Sequence, residues 1–437
     1  MFLIISCSFE NEGENMNILW ITNVPIPIIA KDARLMITPY GGWLVQLADE
    51  IRKIKNFKLS ILFAQNEKKE SVSGSIYAID YQGFYKGRFI EKNEKEKQYE
   101  EFKTFILNCQ PDVIHIFGTE KEHSYTALQV CKDLGLENRI VISIQGMVSI
   151  YAQHYYADIP LWVRYGYTIR DAIRGNSRQS RKKFEYEGRR EEYVLKHVQN
   201  VIGRTDWDEA CTTRLNPKVH YYKNNETLRE AFYKNQWKYD GCKQHSIFCS
   251  QSTYPIKGIH YVLEALPEII EAYPDTMLYI SGENLKDKPI YLLSLYQKYL
   301  LKTIKNKILE EHVFFLGPLQ ESEMVKAYLK ANVFVCPSSI ENSPNSLGEA
   351  MLLGMPVVSS DVGGVKNMLI HNEEGYVYQH DAPYMMAYYI KKMFANTPDV
   401  MEMASRAQKH ARVTHNLEKN VSDLCLIYKD IVTRTKE

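Results

Sequence analysis

Two glutamates, Glu341 and Glu349, stand eight positions apart in SSIENSPNSLGEAMLLGMP (338 to 356), around a run of small polar residues. The stretch follows an apolar run, VFVCPSS (333 to 339), that reads as a strand. Ser343 and Pro344 then read as an N-cap and first helical position, and Gly354 and Pro356 as the end of that helix. Glu341 therefore falls on a strand-to-helix loop and Glu349 a turn or so inside the helix. Free amides at a helix start can hold a diphosphate. A carboxylate beside that diphosphate is repulsive unless it accepts hydrogen bonds from hydroxyls, which a nucleotide sugar supplies on both ribose and hexose. The ordinary alternative is a capping box formed by Ser346 and Glu349, and spacing alone leaves both readings open.

A second stretch, SQSTYPIKGIHY (250 to 261), reads as a strand end, a tight loop and Lys257-Gly258 at the mouth of a helix, where a lysine can set a point charge on the same diphosphate. Gly41-Gly42, at another helix entrance, permits close approach of backbone to a ligand, although a simple turn uses the same residues. A dinucleotide dehydrogenase needs G-x-G-x-x-G directly after its first strand, and NILWITNVPIP (17 to 27) has no glycine there.

Positioning these groups requires a layered α/β framework. Short apolar runs alternate with amphipathic helices from Met16 onward, the pattern of parallel sheets. Segments 17 to 23, 112 to 118, 139 to 146 and 200 to 206 read as strands of one domain, and 246 to 252, 277 to 283, 312 to 318, 333 to 339 and 356 to 361 as strands of another. The polar stretch 224 to 245 reads as the linker, giving domains at 16–235 and 236–414, with a helix at about 415–434 that packs back on the first. Ligands of such sheets sit at the carboxyl ends of the strands, so the two domains are expected to face a shared cleft.

The rest of the composition excludes more than it selects. At 437 residues the chain is long enough for two cores, and 45% hydrophobic with 24% charged residues is that of a globular protein. A net charge of +1 argues against a dedicated nucleic-acid binder. The eight cysteines are scattered, without zinc-ligand spacing or a disulfide framework, which points to a reducing cytoplasm. The apolar run in MFLIISCSFENEGEN has no basic residue before it and is too short for a signal peptide, and Met16 is a candidate initiator. No stretch reaches the roughly 20 apolar residues of a spanning helix. From Leu161 to Arg190, nine Arg or Lys face three acids, interleaved with Trp162, Tyr165 and Tyr167. This reads either as a solvated helical face or as a surface that rests on an anionic leaflet.

With these residues in place, PSSIENSPNSLGEAMLLGMPVVSSDVGG (337 to 364) resembles the E-x7-E signature of family 4 glycosyltransferases of the two-domain GT-B class, carried by Glu341 and Glu349. YPIKG (254 to 258) and FFLGPL (314 to 319) follow the family's order, and the resemblance covers nearly all of 16 to 434. GGWLVQLADEI, PDVIHIFGTE, IGRTDWDEA and YYKNNETLREAFY further resemble bacterial members that build surface polysaccharides. The resemblance implies a GT-B fold of two Rossmann-like doubly wound domains and a retaining, metal-independent transfer. It implies that Glu349 holds the ribose, that Glu341 faces the donor hexose and is the catalytic candidate, and that Lys257 with the amides of Asn342, Ser343, Asn345 and Ser346 holds the diphosphate.

Two departures from the family pattern stand out. Ser252 replaces an arginine common five residues before the lysine, which shifts diphosphate neutralisation to Lys257 or to a residue such as Arg204. Gln145 and Gly146 replace a histidine and aspartate at a strand end, so the acceptor side falls to Gln145, His115 or His154, the two histidines having an ordinary structural reading as well. The expected protein is a hexosyltransferase on the cytoplasmic side, possessing no cofactor other than a UDP- or GDP-linked donor, acting on a glycan or lipid-linked acceptor, and peripheral to the membrane through 161–190. Gly42 and Arg204 join its donor side. The rivals are a nucleotide-sugar epimerase of the same fold and a catalytically silent sugar-nucleotide-binding subunit.

Overall fold

The computed structural model describes residues 15–37, 42–87, 92–251, 254–395 and 397–437. Among them fourteen strands build two sheets. The first holds β1 (Met16–Thr22), β2 (Phe57–Gln65), β3 (Val72–Ile76), β4 (Ile79–Tyr85), β5 (Val113–Phe117), β6 (Ile140–Ser143), β7 (Asn200–Gly203) and β8 (His220–Lys223). Their order is β3-β4-β2-β1-β5-β6-β7-β8, and the β3–β4 pair alone is antiparallel. The second holds β9 (Ser246–Cys249), β10 (Met277–Ser281), β11 (Val313–Gly317), β12 (Val333–Cys336), β13 (Val357–Ser360) and β14 (Tyr376–Tyr378), all parallel, in the order β11-β10-β9-β12-β13-β14. The central strands are buried along their whole length, as in LWIT of β1 and VFVC of β12, because helices cover both faces. In each sheet the order reverses beside the first strand, opening a crevice at the carboxyl ends where ligands of such sheets bind.

The chain crosses between the two halves more than once. The final helix, Leu417–Lys436, returns to the first sheet and buries Leu424, Cys425, Tyr428 and Ile431 in its core. The Tyr428 hydroxyl accepts from the Trp20 indole at 3.0 Å and meets Nδ1 of His115 at 2.6 Å. Leu228, Phe232 and Trp237, inside the stretch expected as linker, are core residues of the second half. An excursion between β6 and β7 also reaches across: Ala157, Ile159 and Val163 pack with Leu293, Tyr296 and Leu300 of the second core. His260 holds this arm through Nε2, which donates to the Ala157 carbonyl at 2.7 Å, and the Tyr261 hydroxyl donates to Asp158 at 2.8 Å. The basic segment 161–190 drew attention away from this apolar anchor, which begins just before it.

Candidate nucleotide-sugar site

Two glycines let the loop between β12 and the Asn345–Leu353 helix lie against its neighbours. Gly258 takes φ +70°, and a Cβ there would sit 1.9 Å from the Pro337 carbonyl oxygen. Gly363 takes φ +51°, and its Cβ would sit 1.8 Å from the Glu341 carbonyl oxygen. Any larger residue at either position would push this loop out of place. The helix starts at Asn345 rather than at Pro344, because Pro344 keeps an extended ψ of 113° and occupies the N-cap position without a side-chain cap. Ser343 is therefore not the cap, and the Ser346–Glu349 capping box does not form. Gly354 closes the helix in the left-handed region, as its sequence position required.

Lys257, at the end of the short Pro255–Lys257 turn, reaches across to Glu341, and the two form an ion pair at 2.5 Å. Ser338 also donates to the same carboxylate oxygen at 2.8 Å. Burial pulls the Lys257 ammonium toward neutrality, but the Glu341 carboxylate beside it outweighs this and holds its pKa above the ordinary lysine range. Lys257, Glu341, Ser338 and Ser346 line one cavity together with the end of β9, Cys249 to Gln251. Glu349 lies one turn deeper on the helix and is buried, with Nε and Nη2 of Arg229 donating to its two oxygens at 2.7 and 2.8 Å. Burial raises the Glu349 carboxyl pKa, and the guanidinium opposes that rise.

The first half closes over the loop at Asn342. Its amide nitrogen donates to the Tyr151 hydroxyl at 2.9 Å, its side-chain nitrogen to Asp208 at 2.7 Å, and its side-chain oxygen accepts from Thr205 at 2.7 Å. Thr205 and Asp208 also cap the Asp206–Leu215 helix, so the turn after β7 is rigid where it meets the loop. The Asn342 amide expected on a diphosphate is thus spent on Tyr151, which shortens the run of amides to Ser343, Asn345 and Ser346. Asn345 donates to Glu226 at 3.4 Å, and Glu226 in turn pairs with Arg204 at 2.8 Å.

The remaining expected residues spread along the carboxyl edge of the first sheet. Arg204 is buried, and besides Glu226 it donates to the carbonyls of Ile144 and Gln145 at 3.2 and 3.0 Å. It is the residue expected to stand in for the arginine replaced by Ser252, a position outside the described residues, and here its charge is paired with Glu226. Gln145 accepts from Asn23 at 3.3 Å, next to Gly118 and Glu120. His115 is a core residue: both ring nitrogens have partners, Tyr428 and Ser143, each at 2.6 Å, and burial drives its pKa down to about 3. That leaves its imidazole nothing to offer an acceptor hydroxyl. His154 is exposed on a turn whose carbonyl accepts from Ser339 at 3.5 Å, and burial of part of the ring with His380 nearby lowers its pKa. Gly42 is the first residue of the Gly42–Ile51 helix, and Gly41 lies outside the described residues.

Sequence reasoning did not single out Arg229, Tyr151, Thr205 or Asp208. Their signal was weak because each has its partner more than a hundred residues away. The Thr205–Asp208 spacing alone was readable as a capping box. Among the described residues no three His, Cys, Asp or Glu side chains come together in a way that could hold a metal ion.

Two parallel doubly wound sheets with their crevices facing define the GT-B architecture, and solved structures agree. Sucrose-phosphate synthase from Thermosynechococcus elongatus matches with a TM-score of 0.67 at 15% identity, over 96% of this chain and 100% of that one. Anabaena HepE in complex with UDP and glucose matches with a TM-score of 0.65 at 14% identity, over 95% and 100%. Residues 233–412 match the family model for glycosyl transferases group 1, and this part of the chain is a group 1 glycosyltransferase domain. Among curated relatives, spore coat protein SA of Bacillus subtilis is 25% identical over 40% of this chain and 46% of its own length. D-inositol 3-phosphate glycosyltransferase of Corynebacterium urealyticum is 26% identical over 42% of each. A phosphatidyl-myo-inositol mannosyltransferase of Mycobacterium tuberculosis is 28% identical over 32% of this chain and 34% of its own. The chain spans less than half the length of these relatives.

Proposed function

We propose that the protein transfers a hexose from a nucleotide-sugar donor to a glycan or lipid-linked acceptor, with retention and without a bound metal, in cell-surface polysaccharide synthesis. The observation that carries this reading is the Lys257–Glu341 pair in a cavity bordered by Ser346 at the start of the Asn345–Leu353 helix. While the cavity is empty, the lysine and the carboxylate neutralise each other. An arriving diphosphate takes the lysine and the helix amides, which stabilise the negative charge that develops on the leaving group. Glu341 is then released to accept hydrogen bonds from hexose hydroxyls. Glu349 accepts two bonds from Arg229 and a long one of 3.5 Å from the Tyr328 hydroxyl, and an ionised carboxylate has about four acceptor positions, so capacity remains for a ribose hydroxyl.

UDP and glucose in the HepE structure support a UDP-linked donor, with GDP the other base to test. No helix among the described residues is long and apolar enough to cross a membrane. A lipid-linked acceptor would be reached by docking on a membrane surface, for which the basic segment 161–190 is the starting point. A thermal-shift screen across UDP, GDP, ADP and dTDP sugars tests the donor, because specific binding raises stability by mass action. Product formation with an acceptor and the anomeric coupling of the product test transfer and retention. No stabilisation by any nucleotide sugar would overturn the reading.

A further inference from the structure

Exposed large apolar side chains concentrate on one face that two distant segments share. Leu161, Trp162 and Tyr165 project from one short helix, and Ile169 and Ile173 from the next, the latter two 82% and 76% exposed. Ile290, Tyr291 and Leu292 form an exposed turn of the second half, and the Ile169–Arg174 helix rests against that turn. Trp162 joins the two segments further, its ring edge-on to Tyr299 at 6.0 Å and under the Lys302 ammonium at 5.4 Å.

Cations converge on the same face. Arg170 and Arg174 lie close enough to Lys288 to disfavour its charge, adding to the effect of burial. Glu283 pairs with Lys288 and is shared with Gln297, and Asp171 caps its own helix at Thr168 and pairs with Arg170 at 3.5 Å. The long Ser177–His197 helix, where the basic segment is densest, is paired in the same way, Arg181 with Glu185, Lys183 with Glu187 and Arg190 with Glu122, and it differs in its apolar surface: among the described residues it exposes Tyr186 but no large aliphatic side chain.

We propose that the protein docks on an anionic bilayer through this composite face, residues 161–174 with 288–292, and that the nucleotide-binding half carries it. This rests on the membrane part of the reading above and sharpens it. Trp and Tyr rings and isolated aliphatic tips suit the headgroup boundary, and the three converging cations suit lipid phosphates. A second copy meeting the face would bring its own cations to the same surface. Ala157, Ile159 and Val163 anchor the arm in the second core, so the contact travels with that half and not with the half whose strands the arm interrupts.

Sedimentation with phosphatidylcholine vesicles, with and without phosphatidylglycerol, tests the proposal. Binding is expected with phosphatidylglycerol and is expected to fall between ~0.1 and ~1 M salt, as the screening length shrinks from about 10 to about 3 Å. Lipid with brominated acyl chains should quench a fluorescence component that disappears in Trp162→Phe. The variant Ile169→Ser/Ile173→Ser/Ile290→Ser should lose at least tenfold in partitioning with nucleotide affinity unchanged, while Arg178→Gln/Lys182→Gln on the long helix should retain most binding. All these side chains are exposed, so folding is checked by an unchanged melting temperature. Wild-type protein that ignores phosphatidylglycerol vesicles at low salt, binding that survives the triple substitution, or a dimer that the triple substitution dissolves would each overturn the proposal. Each of those results leaves the donor reading standing, since that reading is judged by nucleotide binding alone.

Discussion

Arg229 holds both oxygens of Glu349 along one edge of its guanidinium, at 2.7 and 2.8 Å, and so ties the crossing between the two halves to the helix that carries the E-x7-E signature. Removing one partner leaves a buried charge alone, which costs roughly 3–5 kcal/mol in such pairs. Arg229→Ala should therefore lower the denaturant midpoint markedly, and adding Glu349→Gln should recover part of that loss. Stability unchanged in Arg229→Ala would mean that solvent already carries the Glu349 charge.

Glu349→Ala is expected to weaken nucleotide binding by at least tenfold, about 1.4 kcal/mol, because ribose hydroxyls lose a charged acceptor. Titration calorimetry on a folded variant is the check. Wild-type affinity would reduce Glu349 to a structural partner of Arg229.

Lys257→Ala should weaken a nucleoside diphosphate far more than the corresponding nucleoside, since an ammonium gains little from an uncharged ligand. Equal losses for the two ligands would remove Lys257 from the diphosphate.

Activity should survive EDTA, with Lys257 and the helix start supplying the stabilisation of the leaving diphosphate. Turnover that stops with chelator and returns with Mg or Mn would replace this with a metal-assisted mechanism.

Acid should destabilise the fold through its buried histidines. Burial lowers the pKa of His115 to about 3 and of His260 and His415 to about 4, so all three are neutral in the folded chain. The unfolded chain takes up those protons below about pH 6.5, so the stability they contribute is full above that pH and is lost as pH falls toward 4. Each contributes a slope of about 1.4 kcal/mol per pH unit within that window. In His260→Gln, unfolding midpoints measured from pH 7 to pH 4.5 should show a shallower decline; an identical decline would exclude His260.

The long apolar runs that read as strands, such as VFVCPSS and DVIHIFG, are the buried central strands β12 and β5, where hydrophobicity alone fixes the outcome. Edge elements were less legible. VSGSI of β3 and HYYK of β8 have half or more of their residues facing water or only partly covered, so neither carries an apolar signature. At the site, Glu341, Lys257 and Ser346 line one cavity, because the Glu341 loop, the Lys257 turn and the start of the Ser346 helix each follow a strand of the same sheet. Arg229 stood in the polar stretch NNETLREAFY, where nothing local distinguishes an arginine that faces water from one that will grip a carboxylate 120 positions later. The apolar residues of 157–163 were outvoted by the arginines that follow them, although three of them decide where the arm lodges.

That arm has a mechanical consequence. Two bodies joined by a single strap can swing freely, but here the chain passes between them at the arm near Ala157, at Leu228 and again before Leu417. Three separated crossings restrict the swing that a single strap would allow. The same threading means that neither half is a detachable cassette: cutting at the sheet boundary strands Ala157, Ile159 and Val163 with the wrong fragment and leaves Tyr428 without Trp20.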